Sequence, residues 1–172
     1  MQRGRFSNGM RALTLAVVMT AISPALLAAD LATADYIAIQ QLYARYNTAI
    51  DRGDGEGWAA TFTADGVFAG NFKGTEALKG FVNTWRTNPA MNGAARRHFS
   101  ADLVITPSAE GATGTVSTIL VDLSTKPVSM AGYVTYSDVL VKTAAGWRFK
   151  SRAIKQEGAA AAAAPAAPKP AQ

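Results

Sequence analysis

The chain contains no cysteine and a single histidine, His98. The first absence excludes a disulfide scaffold, a thiolate zinc site and a cysteine nucleophile. The second leaves one subunit without the two or three histidine ligands that most zinc hydrolases use, so that chemistry is not expected. Charge is also sparse, at 17% of residues against 49% hydrophobic, which argues for a folding chain and against intrinsic disorder. The longest apolar run, residues 12–22 (ALTLAVVMTAI), is too short to span a bilayer comfortably.

A surplus of positive charge is present, and most of it lies outside the central region. Of 17 basic side chains, Arg3, Arg5 and Arg11 precede the first acid, Asp30, and Lys169 lies near the other end. The 13 that remain face 12 acids. A near-neutral domain lacks the electrostatic footprint of a phosphate binder, so nucleic acid is not expected as a partner.

The two ends differ from the middle. Residues 1–29 combine a basic start, the apolar run, the Ser23-Pro24 break and the small pair Ala28-Ala29, which is the order of a secretory signal peptide. The expected product is periplasmic or secreted in a bacterium, with no stable membrane insertion after processing. Residues 158–172 (GAAAAAAPAAPKPAQ) carry no large apolar side chain, so burial cannot offset ordering entropy and a disordered tail is expected. One domain remains, residues 30–157.

Within it the hydrophobic period first fits helices. Thr33 is a plausible N-cap, and Ile39, Tyr43, Tyr46 and Ile50 form one stripe that ends at Gly53. Asp54 caps a short second helix with Trp58. After a short strand at Val67-Phe68, Thr75 caps a third helix, striped by Leu78, Phe81, Val82 and Trp85. From Arg96 the period becomes two. Phe99, Ala101, Leu103 and Ile105 alternate with His98, Ser100, Asp102 and Val104, which puts His98 on the solvent side. Strands follow over 114–123, 131–143 and 147–155, and in the last of these Arg148, Lys150 and Arg152 read as a solvated face. With no helix between the late strands, the expected fold is α+β with a curved antiparallel sheet around the N-terminal helices.

This order resembles the SnoaL-like, scytalone-dehydratase-like branch of the nuclear-transport-factor-2-like superfamily. The likeness rests on IQQLYARYNTAIDRGDGEGW (39–58), FTADGVF (62–68), KGTEALKGFV (73–82), RRHFSADLVI (96–105) and GYVTYSDVLVKTAAGWRF (132–149). It implies a sheet wrapped into a cone with an open pocket, often dimeric through the sheet. It also implies an aspartate near the end of the first helix, matched by Asp51, and a histidine opening the strand after the third helix, matched by His98. The dehydratase's second histidine position is matched by Asp122. A polar pair on the next strand falls at Thr135 and Ser137, or at Tyr136 and Asp138 if the register moves by one.

The chemistry of such a pair is coherent. A histidine can take a proton beside a carbonyl and return it to a leaving hydroxyl, while a carboxylate on its other nitrogen fixes the tautomer. Asp51 also sits in the last turn of its helix, where the macrodipole disfavours an anion, and it lies beside the apolar stripe. The alternative for it is a solvated helix-end residue beside Arg52, or a turn former with Gly53. Tyr43, Tyr46, Tyr136 and Asp138 are the candidate substrate-binding groups, a buried tyrosine hydroxyl being one that needs a partner. Two functions stay open: a cofactor-independent dehydratase or isomerase acting on a small apolar oxygenated molecule, and a non-catalytic ligand-binding or accessory domain of the same fold. A homodimer is expected, because helices can cover only one of two apolar-bearing sheet faces.

Export should remove about 28 or 29 residues, as expected from the length of a bacterial signal peptide. Intact-mass measurement of the secreted product checks this, and a mature protein that keeps Met1 to Ala28 contradicts it.

Overall fold

Helix α1 (Thr33–Arg52) forms over the expected stripe and buries Ile39, Leu42, Tyr43, Tyr46, Ala49 and Ile50. These positions recur every three or four residues, so one face meets the core. A computed structural model describes residues 30–157; the expected signal peptide and Ala/Pro-rich tail lie outside the described residues. The helix stops at Gly53, which is left-handed (φ 74°) and returns its N–H to the last turn. The side chain of Arg86 lies where a Cβ at this glycine would sit, a second reason for glycine there. At the other end Ala32, not Thr33, is the N-cap, and no side chain caps the helix. Asp35 in the first turn instead accepts from the Trp147 indole N–H at 2.9 Å and pairs with Lys142, tying the helix start to the sheet.

Asp54 caps α2 (Gly55–Ala59) as expected, accepting from the Gly57 N–H at 2.8 Å. Strands β1 (Phe62–Phe68) and β2 (Phe72–Lys73) follow. Helix α3 (Thr75–Thr87) buries Leu78, Phe81, Val82 and Trp85, with Gly74 rather than Thr75 as its N-cap. The rest of the domain is β3 (Arg96–Ser108), β4 (Gly111–Asp122), β5 (Ser129–Thr143) and β6 (Gly146–Gln156).

The six strands form one open sheet in the order β2-β1-β6-β5-β4-β3. The expected all-antiparallel sheet is corrected at one seam, where β1 runs parallel to β6. The late strands do pair as antiparallel neighbours, but β1 comes from before α3 and meets the last strand from the far side. Helix α3 and the β3–β5 meander together serve as the long connection that a parallel pair requires. Helix α1 packs against both β6, in mid-sheet, and β3, at the edge. One helix can touch both only if the sheet curls around it.

Two β-bulges decide which side chains face that helix. Between Ala101 and Val104, β3 carries one residue more than β4, and Asp102 there has φ 56°. Beyond the bulge Leu103 and Ile105 face inward; before it the inward set is His98 and Ser100, opposite Leu120 and Thr118. The expectation that His98 faces solvent is therefore overturned, and Phe99 is the exposed residue, at 60%. An extra residue in β6 between Phe149 and Ser151 does the same for Arg152, which pairs across to Asp138 and is buried. A bulge adds one residue to one strand, so it inverts the alternation beyond it.

The core between helices and sheet is rich in aromatics. Tyr46, Trp58, Phe62 and Phe149 meet at ring-centroid distances of 5.1–6.0 Å, mostly tilted or edge-on. The outer face of the sheet carries Phe99, Ile119 and Tyr133 side by side across three strands, all exposed. Among the described residues no helix is long and apolar enough to cross a membrane.

Candidate functional site

The last turn of α1 aims Asp51 at the start of β3. The Asp51 carboxylate makes two contacts with one residue there. Its Oδ2 accepts from the His98 backbone N–H at 3.1 Å, and its Oδ1 lies 2.6 Å from His98 Nδ1. Both side chains are largely removed from solvent, with 3% of the His98 ring and 14% of Asp51 accessible. The Asp51 carbonyl also accepts from Arg86, so both ends of this residue are held. An ionised carboxylate can only accept, so Nδ1 carries the proton and a neutral imidazole keeps its lone pair on Nε2. Such a ring is set up to receive a proton at Nε2, the carboxylate stabilising the imidazolium that results.

Next to this pair lies a cavity of about 110 Å³ lined by His98, Trp85, Phe81, Tyr46, Tyr136 and neighbouring apolar side chains. The His98 and Trp85 ring centroids are 5.8 Å apart. The site combines apolar walls with a few converging polar groups, the usual make-up of a small-molecule pocket. Larger hollows elsewhere on the surface are wide open and hold no comparable arrangement.

Of the four expected substrate-binding groups, Tyr46 and Tyr136 line this cavity, whereas Tyr43 and Asp138 stand behind it. The Tyr43 hydroxyl donates to Asp138 Oδ2 at 2.6 Å. Gly114 leaves room for that hydroxyl, which any Cβ there would overlap. Asp138 also faces Arg152, with Nε 3.0 Å from Oδ1 and Nη2 donating to Oδ2 at 3.2 Å. The guanidinium carbon sits 4.1 Å from the ring centroids of both Tyr46 and Tyr136, 4.5 Å from Phe149 and 4.9 Å from Tyr43. Arg152 is thus a buried cation inside a cage of four aromatic rings, two of which form the cavity floor.

Burial is the main electrostatic force on this cluster. It pushes the Tyr46 phenol well above its ordinary value and that of Tyr136 upward, while the nearby Arg152 charge opposes both shifts. Burial likewise raises the Asp138 carboxyl against the pull of Arg152 and Tyr43. Burial works to lower Arg152, but Asp138 and the surrounding tyrosines outweigh it and keep the guanidinium charged. The Tyr46 hydroxyl is buried without a hydrogen-bond partner of good geometry among the described residues, and Tyr46 lines the cavity.

Sequence reasoning missed Arg152, which its alternation placed among solvated residues. The available signal was Asp138, a lone acid on an otherwise apolar inner face, since a buried carboxylate needs a cation. A second unforeseen group is the polar chain Asn47–Ser100–Thr118, joined at 2.9 and 2.8 Å, which continues the His98 face of β3. Asp122 is not brought to the cavity; it accepts from Asn92 and Ser124 at the strand end. The register places Tyr136 and Asp138 inward and Thr135 and Ser137 outward.

Residues 32–153 match the family model described as a SnoaL-like domain. No curated protein matches the chain. Among solved structures, a protein of unknown function with a cystatin-like fold from Nostoc punctiforme is 25% identical, with a TM-score of 0.68 over 76% of this chain and 97% of that one. A protein from Catenulispora acidiphila, solved in complex with S-DNPA, is 28% identical, with a TM-score of 0.64 over 73% and 95%. A putative scytalone dehydratase from Novosphingobium aromaticivorans is 24% identical, with a TM-score of 0.59 over 72% and 84%, a likeness of fold.

Replacing Arg152 with Met should cost about 3–5 kcal/mol, because it leaves Asp138 buried without its cation. Adding Asp138→Asn, which keeps an acceptor for Tyr43, should recover part of that loss. Urea unfolding of the two variants checks this, and a double variant less stable than Arg152→Met would show that the pair does not act as a unit.

Proposed function

The chain belongs to the SnoaL-like domain family, and from that premise we propose that it acts on a small apolar oxygenated molecule by proton transfer, as a cofactor-independent dehydratase or isomerase. The observation that carries this reading is the 2.6 Å contact between Asp51 and His98 beside the cavity. His98 Nε2 serves as the general base and then, protonated, as the general acid; Asp51 orients the ring. Removal of a proton beside a carbonyl generates an enolate, and Tyr46 and Tyr136, which line the cavity, carry hydroxyl donors for its oxygen. Returning the proton to a β-hydroxyl expels water, and returning it to carbon shifts a double bond. The S-DNPA complex of the Catenulispora relative supports a ligand-binding role for this fold. We further propose that the protein works after export, in the periplasm or outside the cell.

The rival reading, a binding domain without catalysis, is separated by one measurement. With 2-tetralone in deuterated water, NMR reports exchange of the protons beside the carbonyl. The expected result is exchange above the buffer rate, lower by roughly a hundredfold in His98→Gln and also reduced in Asp51→Asn. Ketone binding without protein-catalysed exchange would leave the binder.

The exposed row Phe99, Ile119 and Tyr133 suits an isologous sheet-to-sheet homodimer, which removes three large apolar side chains from water. Sedimentation at micromolar concentration should give twice the monomer mass, and Phe99→Glu should shift it towards the monomer. A monomer throughout that range overturns the assignment.

A further inference from the structure

The cavity wall contains one formally charged side chain that belongs neither to the His98–Asp51 pair nor to the Arg152 cage. Arg96 opens β3 on the same inward set as His98, two residues away, and lines the cavity. Its guanidinium carbon lies 5.8 Å from the Trp85 ring centroid, so the indole supports it from one side. Its Nε is buried and has no hydrogen-bond partner among the described residues. No carboxylate there comes within ion-pair distance of Arg96.

The nearest candidate partner, Asp122, is opposite Arg96 in the β3–β4 register but is committed elsewhere. Its Oδ1 accepts from the Ser124 N–H at 2.8 Å and from the Ser124 hydroxyl, and its Oδ2 accepts from Asn92 at 3.1 Å. The attraction of Arg96 is the weakest of the influences that lower the Asp122 carboxyl. No aspartate or glutamate lines the cavity. A buried, unpaired donor on a cation, at the wall of a hollow lined mainly by apolar side chains with His98, two tyrosines and Gln156, is costly unless something completes it.

We propose that Arg96 binds a carboxylate on the ligand, so that the substrate class is an apolar acid. The inference rests on the cavity being the ligand site, as proposed above. The Nε–H and its neighbouring Nη–H present two parallel donors, a fork that matches the two oxygens of a carboxylate. Two residues of extended chain separate Arg96 from His98 by roughly 7 Å. The acid therefore carries its carboxylate several bonds from the carbon that exchanges its proton, with the hydrophobic body between them against Trp85 and Phe81. Arg96 is a binding and register residue; the proton transfer itself stays with His98.

The test compares trans-cinnamate with its neutral methyl ester, binding being followed through the Trp85 indole N–H resonance. In the unaltered protein cinnamate should bind roughly tenfold more tightly than the ester, the margin shrinking with added salt. Arg96→Gln should weaken cinnamate by about that factor and leave the ester within twofold. Arg96→Lys keeps the charge without the fork, should fall between them, and serves if the Gln variant does not fold. Ester binding with no preference for the acid, or a preference that survives Arg96→Gln, overturns the carboxylate assignment while leaving the cavity as the ligand site. Failure of both probes to bind at millimolar concentration overturns the cavity reading and this inference with it.

Discussion

A buried positive charge has to be neutralised, and much of this domain is arranged around that need. Arg152 has 1% of its surface accessible, so it must find in protein what water would have supplied. Asp138 provides the counter-charge, and the faces of Tyr43, Tyr46, Tyr136 and Phe149 provide the rest. These contacts come from α1, β5 and β6. The cage therefore fixes the helix against two strands at one place, and the absence of a side chain at Gly114 lets Tyr43 of the helix lie against a third strand, β4.

The candidate site inherits its geometry from this arrangement. Tyr46 and Tyr136 are held by Arg152 from behind and present their other sides to the cavity. Asp51 lies five residues beyond Tyr46 on the same helix, so fixing the tyrosine also fixes the direction from which the carboxylate reaches His98. The two clusters divide the labour. The Arg152–Asp138 pair is sealed away and sets position, whereas the Asp51–His98 pair borders the cavity and keeps one ring nitrogen uncommitted.

Helices, strand order along the chain and the helix stop at Gly53 were legible because each depends on local periodicity or on one residue's backbone preference. The Asp51–His98 pair was reached through resemblance; strand alternation taken alone pointed His98 the wrong way. Facing was lost at the two bulges, where one additional residue in β3 and one in β6 reverse inward and outward. No glycine marks either bulge: Asp102 takes the left-handed conformation, and Lys150 looks like an ordinary exposed strand residue. The parallel β1–β6 seam was illegible for a different reason. Pairing between strands far apart in sequence leaves no trace in either strand's own pattern.

That seam bears on how the domain assembles. β6 is the last strand made, yet it lies between β1 and β5 in the finished sheet. The Tyr43–Asp138 bond closes over 95 residues and the Trp147–Asp35 bond over 112. Until β6 inserts, Phe62 and Phe68 on β1 have no strand on one side, and the tyrosines of α1 surround no cation. The final strand acts as a keystone. Non-local closure of this kind belongs to the slow end of single-domain folding, with loop entropy met before the contacts that offset it exist. A chain shortened before Arg152 would lose the cation, the second half of β6 and with them the support behind Tyr46 and Tyr136, so the domain has no smaller version of itself that keeps the site.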